Sequence, residues 1–212
     1  MAETTYVLFD LDGTLSDPLE GISKSIIYAL GAFGYPLAPE AELARFIGPP
    51  LDTTFVELTA GDDQNHIMAL VEKFRERFRE KGYRENKLYP GVKQALESLY
   101  AREIPLGVCT SKRRDFAEKI LAMFGLDHLF DFVSGGDVGI SKSSQIRTLL
   151  EMKKISRASV MIGDRDSDIL AARENDLCGY GVIWGYGSRE ELENAGSLGL
   201  FEAPDEWNHI FR

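Results

Sequence analysis

Two aspartates follow the first apolar run of the chain, and their type and spacing suit phosphate or metal chemistry. The run from Tyr6 to Phe9 ends at Asp10, Asp12 and Gly13. An uninterrupted apolar run with β-favouring residues predicts a buried strand. Adjacent carboxylates repel each other and need a cation or a shared proton, while a neighbouring glycine lets the backbone approach a ligand. An ordinary Asp-Gly turn is the alternative that this stretch alone leaves open.

Further polar residues follow or lie between later apolar runs, and their types suit the same chemistry. Carboxylates are hard oxygen ligands for Mg²⁺, and hydroxyl and backbone N–H groups can hold phosphate oxygens. A lysine brings a compact positive charge to phosphate, and a carboxylate can act as a nucleophile by forming an aspartyl-phosphate. The residues concerned are Thr110, Ser111 and Lys112 after one run, Lys142 before a helix, and Asp164, Asp166 and Asp168 after another run.

Strand–helix alternation would bring these residues together. Beyond Pro90, apolar runs of strand length alternate with amphipathic helical patterns, which indicates parallel βαβ units. Right-handed crossovers place the carboxyl ends of all such strands at one edge of the sheet, where ligands bind. From Pro18 to Gly82 the periodicity predicts helices and no strand.

Composition limits the class of protein. The chain has 212 residues, is 44% hydrophobic and 27% charged, and is typical of a globular protein. Its net charge of −10 argues against nucleic-acid binding. There is no signal-peptide pattern and no apolar stretch near the roughly 20 residues that span a bilayer. Cys109 and Cys178 lie in apolar runs, which predicts buried free thiols and a cytoplasmic protein. The lack of a spanning stretch predicts that the protein has no membrane partner.

The order of these motifs resembles that of the haloacid dehalogenase-like (HAD) superfamily of phosphohydrolases. Its members carry Asp-x-Asp after the first strand, Thr or Ser ending the second, Lys before a later helix, and acids after the fourth strand. The matching residues here are Asp10 and Asp12, Thr110, Lys142, and Asp164 with Asp168. Many members have proline after the motif lysine, whereas Ser143 follows Lys142, so Lys153 and Lys154 are alternatives.

The resemblance implies a role for each matched residue. Asp10 would attack phosphorus and bind Mg²⁺. Asp12 would protonate the leaving oxygen, then activate water, while its backbone carbonyl faces the metal. Thr110, Ser111 and nearby backbone would bind the phosphate, and Lys142 would neutralise it together with Asp10. The remaining two acids, Asp164 and Asp168, would bind the metal directly or through water.

The long interval between Asp10 and Thr110 predicts an inserted domain. It exceeds the roughly 30 residues that one βαβ crossover needs, and the excess is helical. The expected architecture is α/β, with a Rossmann-like parallel sheet core (1–15 and 89–212) and an all-helical cap (16–88) that resembles the C1-type caps of HAD phosphatases. Such a cap would exclude water and favour small substrates.

These observations favour a Mg²⁺-dependent phosphatase, acting as a monomer or homodimer on a small phosphorylated metabolite. The stretch from Phe46 to Leu51 resembles the cap loop of phosphoglycolate phosphatases and 5′-nucleotidases. This likeness favours phosphoglycolate or a nucleoside 5′-monophosphate as substrate, with the loop or Arg45 in contact with it. A phosphosugar mutase of the β-phosphoglucomutase type and a non-catalytic phosphate-binding regulator remain alternatives.

Overall fold

The computed structural model describes residues 4–37 and 39–210. Within them, the core of the protein is a six-stranded parallel sheet. Its strands are β1 (Val7–Phe9), β4 (Leu106–Arg113), β5 (Phe132–Gly136), β6 (Val160–Gly163), β7 (Cys178–Val182) and β8 (Leu200–Phe201). Two further short strands, β2 (Ser16–Asp17) and β3 (Lys87–Leu88), pair antiparallel with each other. The α/β class predicted from strand–helix alternation is therefore confirmed.

The strand order is β5-β4-β1-β6-β7-β8, so β1 lies at the centre of the sheet. Val7 pairs with Leu106 on one side and with Val160 on the other. All three residues of β1 are fully buried, as expected for a parallel strand that is covered on both faces. Because the chain moves from β1 to β4 and β5 and then returns to β6 on the opposite side of β1, the crevice beside β1 is a topological switch point.

Helices cover both faces of the sheet. Val7 and Phe9 belong to one apolar cluster with the helices at 92–101 and 114–124, whereas Leu8 belongs to a second cluster with the helices at 142–151 and 166–173. This division follows from the alternation of side chains along a strand. The helices are α1 (Leu19–Ala32), α2 (Leu51–Thr59), α3 (Gln64–Glu80), α4 (Val92–Ala101), α5 (Arg114–Phe124), α6 (Lys142–Glu151), α7 (Asp166–Arg173) and α8 (Arg189–Ala195). Short 3₁₀ helices cover Glu40–Phe46, Gly82–Glu85, Asp127–Leu129 and Pro204–His209.

Residues 18–86, called here the helical insert, contain α1, α2 and α3. Buried apolar residues recur at helical spacing on α1 and α3, and the two helices pack against each other. The β2–β3 pair joins the two ends of the insert where it leaves and re-enters the core. Treating 16–88 as a separate cap domain stays a prediction.

Two local details differ from the sequence expectations. Strand β4 does not end at Cys109 but continues to Arg113, with a shift of register between Thr110 and Arg113. Cys178 is exposed rather than buried, because it is the first residue of β7, at the opposite end from the switch point. Among the described residues, no helix is both long enough and apolar enough to cross a membrane.

Candidate active site

The site is built on the carboxyl ends of β1 and β6, which are neighbours in the sheet. Asp10 directly follows β1, and its backbone N–H donates to the carbonyl of Ile162 on β6, at 2.9 Å. Its carboxylate oxygen Oδ1 accepts a hydrogen bond from the N–H of Leu11 at 2.7 Å. The Asp10 side chain is thereby fixed at the point where the strand order reverses.

Three buried carboxylates meet there. Asp10, Asp164 and Asp168 are 3%, 1% and 0% exposed, and one oxygen of each lies within 4.8 Å of the others. The Asp164 oxygens accept hydrogen bonds from the Thr14 hydroxyl at 3.4 Å and from the Tyr186 N–H at 2.8 Å. The sequence prediction placed these three acids at one edge of the sheet, and the structure brings them together.

Gly13 and Gly163 make room for the acid cluster. Gly13 has φ of +84°, and a Cβ atom there would lie 2.1 Å from Oδ2 of Asp164. A Cβ on Gly163 would lie 2.0 Å from the carboxyl carbon of Asp168. Any larger residue at these positions would displace an acid, so both glycines are required by close approach, and Gly13 is required by its positive φ as well.

Lys142 is the cation of this cluster. It is the first residue of α6, whose N-cap Ser141 accepts a hydrogen bond from the N–H of Ser144. Its Nζ lies 2.9 Å from Oδ2 of Asp10 and also contacts Oδ1 of Asp168. The alternatives Lys153 and Lys154 are exposed.

Burial and charge shift the pKa values of the cluster in consistent directions. Burial raises the pKa of Asp164 well above its usual value, and the charges of Asp168 and Asp10 raise it further. Burial also raises the pKa of Asp168 to about 6, although Lys142 opposes this shift. Burial would lower the pKa of Lys142, but the charges of Asp10 and Asp168 outweigh that effect and raise it. The single ammonium group of Lys142 therefore does not neutralise the negative charge of the three carboxylates.

This donor set fits a hard divalent cation. Three carboxylates with a single ammonium leave uncompensated negative charge in a buried site, which a bound metal ion or protons must neutralise. All the ligand atoms are oxygens, as Mg²⁺ prefers. Asp10, Asp164 and Asp168 could hold the ion. The predicted metal contact of Asp12 is through its backbone carbonyl and stays a prediction.

Asp12 makes a different set of contacts from Asp10. Its Oδ2 lies 2.6 Å from Nζ of Lys112, and the two side chains are 10% and 7% exposed. Its other oxygen, Oδ1, has no hydrogen-bond partner among the described residues. Burial raises the pKa of Asp12, and the charge of Lys112 opposes the shift. The sequence placed Lys112 with Thr110 and Ser111 at this edge of the sheet, but it did not indicate the contact with Asp12.

A cavity opens beside Asp10 and Asp12. Thr110, which is 1% exposed, and Ser111 line it from the core side. The Thr110 hydroxyl accepts a hydrogen bond from the N–H of Lys112 at 3.2 Å, and its carbonyl accepts one from the Gln145 side chain at 3.1 Å. The predicted phosphate-binding residues Thr110 and Ser111 thus face the same space as the two acids.

The helical insert forms the opposite wall of this cavity. Its contribution is mostly apolar and includes Ile22, Phe46, Gly48, Pro49, Pro50, Leu51, Phe74 and Phe78. The loop after Phe46 therefore faces the site, as the sequence resemblance suggested. Arg45 does not line this cavity; its side chain is 67% exposed and pairs with Glu57.

Two arginines join the insert to the core around the cavity. Arg75 of α3 pairs with Asp137, which follows β5, at 2.5 Å. Arg165, which follows β6, donates to the carbonyl of Ile47 at 2.7 Å and to Glu191 at 2.8 Å. These contacts hold the insert over the acids.

Comparisons with known proteins agree with this geometry. Residues 7–179 match the family described as haloacid dehalogenase-like hydrolase. A 5′-nucleotidase of Pseudomonas aeruginosa is 40% identical over 190 residues, covering 88% of this chain and 86% of that protein. A phosphoglycolate phosphatase of Vibrio cholerae is 30% identical over 206 residues, covering 92% of this chain and 91% of that protein.

A solved structure extends the similarity to the whole fold. The crystal structure of a predicted phosphatase from Clostridium acetobutylicum superimposes with a TM-score of 0.91 at 38% sequence identity. The superposition covers 98% of each chain. The helical insert is thus shared with that structure as well as the sheet.

Proposed function

This chain belongs to the haloacid dehalogenase-like hydrolase family and is a phosphatase of that family, and we propose that it hydrolyses a small phosphomonoester through an aspartyl-phosphate. The observation that carries the mechanism is the contact of Asp10 with Lys142 inside a buried acid cluster that opens on the cavity. A carboxylate in this position can act as the nucleophile, because the ammonium and the backbone N–H of Leu11 fix it.

The proposed reaction has two steps, transfer of the phosphoryl group to Asp10 and hydrolysis of the aspartyl-phosphate. An Asp10 carboxylate oxygen attacks phosphorus while the bond from phosphorus to the leaving oxygen breaks, and Asp12 gives its proton to that oxygen. A water molecule then attacks the phosphorus of the aspartyl-phosphate and gives a proton to Asp12. The bond between phosphorus and Asp10 breaks, and inorganic phosphate leaves. The raised pKa of Asp12 suits a group that must carry a proton.

The surrounding residues supply positioning and charge, which dominate catalysis of phosphoryl transfer. Thr110 and Ser111 would hold the phosphate oxygens. A Mg²⁺ ion held by Asp10, Asp164 and Asp168 would neutralise charge on the phosphate. A cytoplasmic location agrees with the two free thiols. A small phosphorylated metabolite is the proposed partner, because the helical insert covers the cavity beside the two acids.

The relatives favour two substrate classes. Phosphoglycolate and nucleoside 5′-monophosphates are the first candidates, because relatives across most of the chain are named for these activities. The test is phosphate release from both classes and from sugar phosphates, with and without Mg²⁺, by the wild-type protein and Asp10→Asn. Mg²⁺-dependent release that Asp10→Asn abolishes is expected. Release by Asp10→Asn near the wild-type rate would overturn the proposed nucleophile.

A further inference from the structure

The ion pair between Lys112 and Asp12 uses one carboxylate oxygen of Asp12 and leaves the other without a hydrogen-bond partner among the described residues. Oδ2 of Asp12 is held at 2.6 Å by the ammonium, whereas the buried Oδ1 has no partner among the described residues. A buried acceptor without a partner is costly. The Oδ1 atom beside the cavity is therefore suited to meet a group that arrives with the substrate.

A bulge in β4 places Lys112 at this position. The pairing of β4 with β5 shifts register between Thr110 and Arg113, and such an irregularity changes the direction of the side chains that follow. The N–H of Lys112 donates to the Thr110 hydroxyl at 3.2 Å instead of continuing a regular ladder. The same bulge thus presents Thr110 to the cavity and directs Lys112 to Asp12.

The helical insert holds Lys112 from the other side. Its Nζ lies 4.6 Å from the centroid of the Phe78 ring on α3, an arrangement in which the ring face attracts the cation. Phe78 is 1% exposed and is fixed by stacking on Phe74 and by an edge contact with Phe116. The ammonium is therefore clamped between a carboxylate of the core and an aromatic ring of the insert.

We propose that Lys112 is a positioning residue that fixes Asp12 by Oδ2 so that Oδ1 carries the proton, and that Phe78 holds Lys112 there when the insert is seated on the core. This inference rests on the proposed function. In the first step the Oδ1–H bond breaks as the leaving oxygen takes the proton. In the second step Oδ1 takes a proton from the attacking water. Seating of the insert is thereby coupled to the group that moves the proton.

The test uses two leaving groups that differ in their need for a proton. p-Nitrophenyl phosphate releases a stable anion, whereas a nucleoside 5′-monophosphate or phosphoglycolate releases an alkoxide that must be protonated. In Lys112→Met, kcat for the alkyl phosphate that the wild-type protein hydrolyses faster should fall by about 10²-fold or more, with little change in KM. The first turnover of p-nitrophenyl phosphate should remain fast and give a burst of nitrophenolate.

Two matched variants separate positioning from a structural effect. Lys119→Met removes an exposed lysine that lies 5.8 Å from the Phe116 ring and should leave both rates unchanged. Phe78→Leu should also lower kcat for the alkyl phosphate while the first turnover of p-nitrophenyl phosphate stays fast, but to a smaller extent than Lys112→Met. Phe55→Leu, which alters a buried ring that contacts Phe74, should not. Thermal unfolding of every variant reports whether it is folded.

The outcomes are distinct. Equal slowing of the first turnover of the two substrates in Lys112→Met, with Phe78→Leu also showing no difference between them, would overturn the positioning role. A raised KM with unchanged kcat would also overturn it, because it would make Lys112 a substrate-binding group. A wild-type protein that releases phosphate from no substrate would instead contradict the proposed function itself.

Discussion

Nζ of Lys142 lies 2.9 Å from Oδ2 of Asp10 and also contacts Asp168, so one buried ammonium serves two carboxylates. The three side chains are at most 4% exposed, and water therefore screens their charges little. With Asp164 beside them, the acids outnumber the cation. The balance of charge at this site is thus central to both stability and function.

Replacing the ammonium tests that balance. Lys142→Met leaves the acids without their protein cation, and removing one partner of a buried ion pair costs about 3–5 kcal/mol. We expect a loss of this order in the free energy of unfolding without metal, measured in urea, and partial recovery with Mg²⁺. Phosphate release should fall by about 10²-fold or more, as for loss of an electrostatic contact to the transition state.

Lys153→Met is the control for that variant, because it removes an exposed lysine at a position that the sequence left as an alternative. Its stability should stay within about 0.5 kcal/mol of wild type, with unchanged activity. Activity near the wild-type level in Lys142→Met would show that the ammonium is not needed for phosphate chemistry.

Metal removal tests the cluster of Asp10, Asp164 and Asp168. Chelation should abolish phosphate release, and Mg²⁺ should restore it. At 100 times its dissociation constant, a ligand bound only by the folded state stabilises it by about 2.7 kcal/mol, so the melting temperature should rise on addition of Mg²⁺. The rise should be lost in Asp164→Asn and kept in Asp166→Asn, because Asp166 lies outside the cluster. A rise of equal size in both variants would place the ion elsewhere.

The contact between Arg75 and Asp137 should link the insert to the core. Arg75 is almost fully buried, but the Asp137 side chain is 40% exposed, so solvent weakens the pair. A double-mutant cycle of Arg75→Met and Asp137→Asn should give a coupling of about 1 kcal/mol in urea unfolding. KM should rise in each variant, since the insert forms one wall of the cavity.

Glu72→Gln is the matched control for this pair. Glu72 also binds Arg75, at 2.7 Å, but both residues belong to α3, so its removal leaves the link to the core intact. KM should therefore stay near the wild-type value. Equal changes in KM for Glu72→Gln and Asp137→Asn would show that KM does not depend on the link between the insert and the core.

The sequence was sufficient for the parts of the site that depend on topology. Asp10 and Asp164 follow apolar runs, and parallel strands bring such positions to one edge. Lys142 was identified by resemblance, because its contact with Asp10 depends on how α6 packs. Lys112 was placed at this edge, but its contact with Asp12 was missed, since it depends on a register shift in β4 that periodicity does not reveal. Its contact with Phe78 depends on how the insert is seated, which local patterns do not encode.

Tyr6 gives a prediction about pH that is independent of the acid cluster. Its hydroxyl donates to Oδ2 of Asp131 at 2.9 Å. Burial, and then the hydrogen bond and charge of Asp131, raise the pKa of Tyr6 from 10.0 to about 12. The folded state thus holds this proton more tightly than the unfolded chain. The resulting stability is fully present below pH 10 and is lost as pH rises towards 12.

The free energy of unfolding of Tyr6→Phe should therefore be lower than that of wild type at low pH and should approach it at high pH. The difference in unfolding free energy between wild type and Tyr6→Phe should be largest below pH 10 and should shrink towards pH 12, when urea unfolding is measured at a series of pH values. Tyr100→Phe is measured alongside as the control for loss of a tyrosine hydroxyl at an exposed position, because Tyr100 is 52% exposed. A constant difference for Tyr6→Phe through pH 12 would contradict the raised pKa, because the folded and unfolded chains would then release the proton together.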